Sequence, residues 1–261
     1  MSELEPANLD PPEIPLALEN QDFIKDPDAR PLRILSEYFH PLKVFREQNI
    51  TDTVVFFGSA RTLSSVDPRL RQGMSLFPMA RYHDDARVLA RQIAEWSRDT
   101  IFPATGRHIH ICTGGGPGIM EAANKGAHEA AADNIGLNIV LPHEQHPNAY
   151  ITPRLNFNFQ YFFMRKYWFL YYARVLLAFP GGFGTLDELF ETLTLRQTGI
   201  VDSDFKLLLY GKQYWNQLVN FQLLADSGMI DPNDLELFTI VDSVAEAMHL
   251  IQIALKRLLD A

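Results

Sequence analysis

The chain of 261 residues is 47% hydrophobic and 21% charged, the balance of a globular protein rather than a disordered one, and it is long enough for one large core. Its formal charge of −9 is concentrated in residues 1–30, which hold eight acids against two bases, and no basic stripe suited to nucleic acid is present. The single cysteine, Cys112, excludes an internal disulfide and a cysteine-built metal centre.

Residues 1–30 read as an acidic, proline-rich extended arm, because Pro11, Pro12 and Pro15 oppose a helix. No export signal is visible there, and the most apolar stretch, 157–179, is interrupted by Arg165, Lys166 and Arg174. The expectation is a cytoplasmic protein with no membrane span. Residues 31–261 are expected to form one domain.

That domain opens with a helical pattern over 31–49, after which strand and helix signals alternate. Residues 53–57 form a β-branched and aromatic run stopped by Gly58, and 84–99 an amphipathic helix. A strand over 108–112 ends at the glycine cluster Gly114, Gly115, Gly116 and Gly118, followed by an alanine-rich helix over 119–132. Strands are predicted at 136–141 and 155–159, then an aromatic helix at 161–172. A strand over 175–179 is stopped by Pro180, Gly181 and Gly182, and a helix runs over 185–198. A strand at 206–210, a helix near 214–227 and a terminal helix from Val244 complete the series. Such alternation calls for a doubly wound, Rossmann-like parallel sheet covered on both faces.

Both glycine loops then fall at the carboxyl edge of the sheet, where backbone amides at helix starts attract an anion. Neither Gly-x-Gly-x-x-Gly nor the Walker spacing occurs, so the guest is a single phosphate, as in a mononucleotide or sugar phosphate. Glu188 lies three residues after Thr185. This spacing is also that of a helix capping box, in which Glu188 would fold back on the backbone and do no chemistry. Arg165 sits in an aromatic helix and needs an acid or an anion; a structural ion pair and a functional one both satisfy it. Ser59 fits a ligand edge or a plain turn, and the aromatic run 157–168 fits a core, a subunit interface or a base-stacking wall. His143, Glu144, Gln145 and His146 lack zinc-helix spacing and read as a loop, so no metal is expected.

Taken together, these motifs resemble the LOG ("Lonely Guy") family. The segment from Pro180 to Glu188, Pro-Gly-Gly-Phe-Gly-Thr-Leu-Asp-Glu, is similar to that family's signature. Met164-Arg165-Lys166, the turn at Gly58 and Ser59, and the run from Gly114 to Met120 fall in the family's order. The resemblance implies a Rossmann-like homodimer that hydrolyses a nucleoside 5′-monophosphate to free base and ribose 5-phosphate without a cofactor. It assigns Arg165 and Glu188 to catalysis. It assigns Gly58, Ser59, Gly115, Gly116, Gly118, Lys166, Gly181, Gly182, Gly184 and Thr185 to nucleotide binding. Substrates in the family are cytokinin riboside monophosphates or AMP and related purine nucleotides. Glu121, the 30-residue leader and the insertion between Ala60 and Arg81 depart from its short members. Two other readings stay open: a non-catalytic nucleotide or molybdenum-cofactor carrier using the same loops, and a phosphoribosyl transfer to a nucleophile other than water.

Overall fold

The structure is a computed structural model that describes residues 14–72, 79–141, 146–201 and 204–260. The chain divides after His40 into two units. In the first, α1 (Gln21–Lys25) is capped by Asn20, whose side chain accepts from the Phe23 N–H at 3.1 Å. A 3₁₀ turn (Pro27–Ala29) follows, capped in the same way by Asp26. Arg33 donates to the Ile24 and Asp26 carbonyl oxygens at 2.6 and 2.7 Å and ties these turns together. The extended arm expected through residue 30 is therefore helical from Gln21 onward. Asn20 and Asp26 supply start signals beyond the last of the early prolines, and Pro27 occupies a first-turn position that needs no N–H. Residues 1–13 of the expected arm lie outside the described residues. Helix α2 (Arg30–Glu47) runs across the division.

The second unit is a seven-stranded, all-parallel sheet: β1 (Asp52–Phe57), β2 (Ile109–Thr113), β3 (Asn134–Ile139), β4 (Asn156–Phe159), β5 (Ala173–Ala178), β6 (Lys206–Tyr210) and β7 (Thr239–Val241), in the order β4-β3-β2-β1-β5-β6-β7. The α/β, Rossmann-like class expected from the sequence is the observed one. Buried on both faces, the central strands need no alternation, and Val54, Val55, Phe56, Leu176, Leu177, Leu207 and Leu208 are all sealed from solvent. Helices α3 (Ala80–Trp96) and α5 (Ile119–Glu129) pack closely: a Cβ on Gly126 would come within 2.1 Å of the Arg87 carbonyl oxygen. After α3 the chain continues through a π turn (Ser97–Ile101) into α4 (Phe102–Thr105). Beyond β4 come α6 (Phe162–Tyr171) and, after β5, α7 (Phe183–Gln197).

The helix expected near 214–227 is two helices, α8 (Lys212–Leu218) and α9 (Phe221–Asp226). Val219 is extended at φ −128°, and Asn220 restarts the helix by accepting from the Leu223 N–H at 3.0 Å. Strand β7 was not anticipated, because its three residues are too few for a period to register. The terminal helix is α10 (Val244–Leu255), followed by α11 (Arg257–Asp260).

At the amino edge of the sheet, Asp52 is fully buried and clamped by Arg107 and Arg174, each at 2.6 Å. A buried carboxylate is tolerable only with such partners. This clamp anchors β1 at the end opposite the glycine loops.

Candidate active site

From β1 the chain winds outward to β4, then returns to β5 beside β1 and winds the other way. The connections leaving β1 and β5 thus diverge and open a crevice between them, the switch point where open α/β sheets bind ligands. A cleft of about 580 Å³ lies there. Gly58, Ser59 and Arg61 border it from the β1 loop, Arg165 and Phe169 from α6, and Gly181, Gly182, Gly184, Thr185 and Glu188 from the β5 loop and α7.

Close backbone approach requires the glycines here. At Gly58 a Cβ would collide with the Ile119 side chain at 2.7 Å. At Gly118, whose φ is +71°, it would lie 2.3 Å from the Ser59 carbonyl oxygen. The β1 loop is also bonded to both neighbours: the Ser59 N–H donates to Pro180 O at 3.0 Å, and the Ile119 N–H donates to Ser59 O at 3.1 Å. In the β5 loop a Cβ on Gly181 would strike the Thr185 hydroxyl at 2.1 Å, whereas Gly182 and Gly184 face open space. Gly182 is the N-cap of α7 and has no side chain to satisfy the helix amides, which leaves the start of a 15-residue helix facing the cleft.

That cap position excludes the capping-box reading of Thr185 and Glu188. The helix begins at Phe183, so Thr185 is already in its first turn and Glu188 in its second. The Glu188 carboxylate instead accepts from Arg165 Nη2 at 2.9 Å, with both side chains almost wholly buried. Phe162 and Phe169 rings lie 5.3 and 5.4 Å from the guanidinium carbon. The buried Arg165 Nε has no hydrogen-bond partner, so the pair retains unused donor capacity. Burial pushes the Glu188 carboxyl up to about 7 against the pull of Arg165, and burial likewise lowers the Arg165 guanidinium. A carboxylate poised near neutrality beside a fixed cation can carry a charge or exchange a proton.

Four expected nucleotide contacts do not line the cleft. Lys166 turns away from the cleft and binds Asp187 and Glu191 at 2.8 and 3.0 Å, one residue further round the helix from Arg165. Gly115 and Gly116 do not line the cleft. The Gly115 N–H donates to the Thr113 hydroxyl at 2.9 Å, and the Asn148 side chain donates to both carbonyl oxygens at 3.1 Å. Their turn is a structural one, secured by asparagines that carry no spacing signal. Gly118 stands behind the β1 loop, in a neighbouring cavity.

Other residues at the site were missed. Tyr214, on α8, donates its hydroxyl to the Gly181 carbonyl oxygen at 2.5 Å. Met120 and Arg61 also border the cleft. Only Arg61, two residues after Ser59, had a sequence signal. The aromatic run splits: Phe157, Phe159 and Trp168 are buried, whereas Phe162 and Phe163 are half exposed. Cys112 is buried, which pushes its thiol up and away from reactivity. His143, Glu144 and Gln145 lie outside the described residues. Among those described, no group of three or more His, Cys, Asp or Glu side chains is placed to hold a metal, and no helix is long and apolar enough to cross a membrane.

Comparison with known proteins agrees with this frame. The chain is 27% identical over 145 residues to a probable cytokinin riboside 5′-monophosphate phosphoribohydrolase of Oryza sativa subsp. japonica, a match covering 54% of this chain and 62% of that protein, less than two thirds of its length. It is 27% identical over 150 residues to a cytokinin riboside 5′-monophosphate phosphoribohydrolase of Arabidopsis thaliana, covering 56% of this chain and 68% of that one. The molybdenum cofactor binding protein of Rippkaea orientalis superposes with a TM-score of 0.50 at 18% identity, over 78% of this chain and 96% of that one, a likeness of fold. A family model described as "Possible lysine decarboxylase" matches residues 120–251, half of the chain, and the protein belongs to this family, the LOG family.

Proposed function

We propose that the protein hydrolyses the N-glycosidic bond of a nucleoside 5′-monophosphate, releasing the free base and ribose 5-phosphate. One observation carries the reading: the buried Arg165–Glu188 pair stands in the same cleft as the open start of α7 at Gly182. In this scheme residues 182–185 hold the phosphate, and Ser59 with Gly58 borders the opposite wall. The ribose then faces Glu188, whose carboxylate opposes the positive charge that develops as the base leaves. Water adds to the anomeric carbon, the C–N bond breaks, and its electron pair departs with the base, which takes up a proton. Arg165 holds Glu188 in position.

The family description suggests a decarboxylase, which would use pyridoxal phosphate held by a lysine. No lysine lines the cleft among the described residues, so the side chains present do not fit that cofactor. A non-catalytic carrier of the same fold would use the loops but has no need of the ion pair.

The half-exposed Phe163, Tyr167 and Tyr171 of α6, with the more exposed Ile200 beyond α7, line one largely apolar face. A second copy of the chain is the proposed partner there, giving a homodimer. The protein is proposed to work in the cytoplasm.

The test is incubation with a panel of nucleoside monophosphates and chromatographic detection of free base. AMP should be cleaved far faster than adenosine, since the phosphate is the anchor. Release of base from neither, with tight nucleotide binding retained, would replace hydrolysis by the carrier reading.

A further inference from the structure

A second cavity, of about 650 Å³, opens on the far side of the ridge formed by residues 59–61. Its floor is the tight crossing of α3 and α5. Its outer wall is the segment after Ala60, which is braced from within. Asp67 accepts from the Arg69 backbone at 2.9 Å and from its guanidinium at 3.0 and 2.7 Å, and the Ser65 N–H donates to Asp84 at 3.3 Å. Glu121 projects into the same space from α5. The inserted segment and Glu121, two of the departures from the family's short members, therefore meet at one place.

Three of the charges around this cavity are neutralised by neighbours. Arg69 is held by Asp67, and Arg87 by Glu129 at 2.6 Å. Arg61, Lys125, Glu121 and Asp84 remain: among the described residues the first three have no salt-bridge partner, and Asp84 has only the His83 imidazole at 3.5 Å. Lys125 rests over the Tyr150 ring at 5.2 Å. Two unpaired cations, two carboxylates without a cationic partner and a roomy polar space match a ligand with an anionic group and several hydroxyl or amino donors.

We propose that this cavity is a second ligand site, taking a phosphorylated small metabolite whose phosphate is drawn by Arg61 and Lys125 and whose hydroxyl or amino groups donate to Glu121. Its occupancy is coupled to the cleft, because Arg61 borders both spaces. The Arg61 N–H donates to the Ser59 hydroxyl at 3.0 Å, and Ser59 is bonded to Pro180 at the head of the phosphate loop. The site is thus placed to regulate rather than to react.

The test is calorimetric titration of the full chain with pyrophosphate. Lys125→Met should weaken one class of site by about five-fold, the loss of one charged contact. Glu121→Gln should tighten the same class by about two-fold or more, because it removes a repelling charge, and misfolding cannot produce that opposite sign. Neither residue lines the cleft, so KM for AMP without effector should be unchanged in both variants. Pyrophosphate affinities that neither substitution moves would overturn the proposal. Since binding is read without turnover, a protein that cleaves no nucleotide would refute the proposed reaction while this titration still reported on the second cavity.

Discussion

Arg165 and Glu188 meet at 2.9 Å although they lie 23 residues apart on two different helices, with β5 between them. The sheet brings them together: α6 delivers the chain into β5, and α7 leaves from its carboxyl end, so residues near the ends of both helices converge on the switch point. Removing the charge from Glu188 tests this pair directly. Glu188→Gln should lower kcat by roughly 10² to 10³, the usual effect of deleting one electrostatic stabiliser of a transition state. Because Glu188 is not a cap, the helix should not weaken. The substitution does leave the buried Arg165 guanidinium without its countercharge, so the melting temperature should fall by several degrees while the variant still folds. Full activity in a folded variant would remove Glu188 from the chemistry.

The pH profile offers an independent check. If the ionised Glu188 is the working form, kcat/KM should rise with pH and level off above about 7, where its carboxyl titrates. Arg165→Ala removes the cation that favours the charged form. Any remaining activity should then show its rising limb at higher pH, and a limb left in place or moved to lower pH would contradict the coupling.

The parallel sheet was legible because its strands are short apolar runs ended by glycine, as at Phe57 and Ala178, and the helices between them carry a clear period. The candidate site was legible only in part. Glu188 and Arg165 could be named, but Thr185 and Glu188 satisfy the spacing of a capping box equally well, and only the start of α7 at Phe183 separates the two readings. Lys166 shows the converse. One residue from Arg165, it points about 100° away on the helix and pairs with Asp187 and Glu191. Tyr214 carried no signal, since its contact with Gly181 spans 33 residues and depends on how α8 settles against the sheet.

The glycines of the β5 loop should behave unequally. Gly181→Ala forces a methyl against the Thr185 hydroxyl and must displace the first turn of α7, whereas Gly182→Ala meets nothing within 4 Å. Gly181→Ala is expected to lower the melting temperature by several degrees and to erode the preference for AMP over adenosine. Gly182→Ala meets no clash and should lose less, only the roughly 1 kcal/mol or below by which alanine is a poorer N-cap than glycine. Similar melting temperatures for both variants would mean that Gly181 is not packed against Thr185 as described.

A last prediction concerns stability away from the site. His110, on β2, is 7% exposed, and its buried Nδ1 has no hydrogen-bond partner. Burial holds its imidazole down to about 4, with His108 nearby adding a smaller push in the same direction. The folded protein therefore keeps His110 neutral, while the unfolded chain protonates it near the ordinary value of about 6.5. Above that value both states are neutral and the histidine has no pH-dependent effect. As pH falls from about 6.5 toward 4, the unfolded state binds a proton that the folded state refuses, and stability is lost, by about 3 kcal/mol at the lower end. Urea unfolding at pH 7, 6 and 5 should show the midpoint falling more steeply in the parent than in His110→Gln, which has no imidazole to protonate. Comparing the two slopes cancels the contribution of every other titrating group, Glu188 included. Parallel slopes would show that His110 accepts its proton as readily in the folded protein as in the unfolded one, and that its cavity is wet enough to solvate the charge.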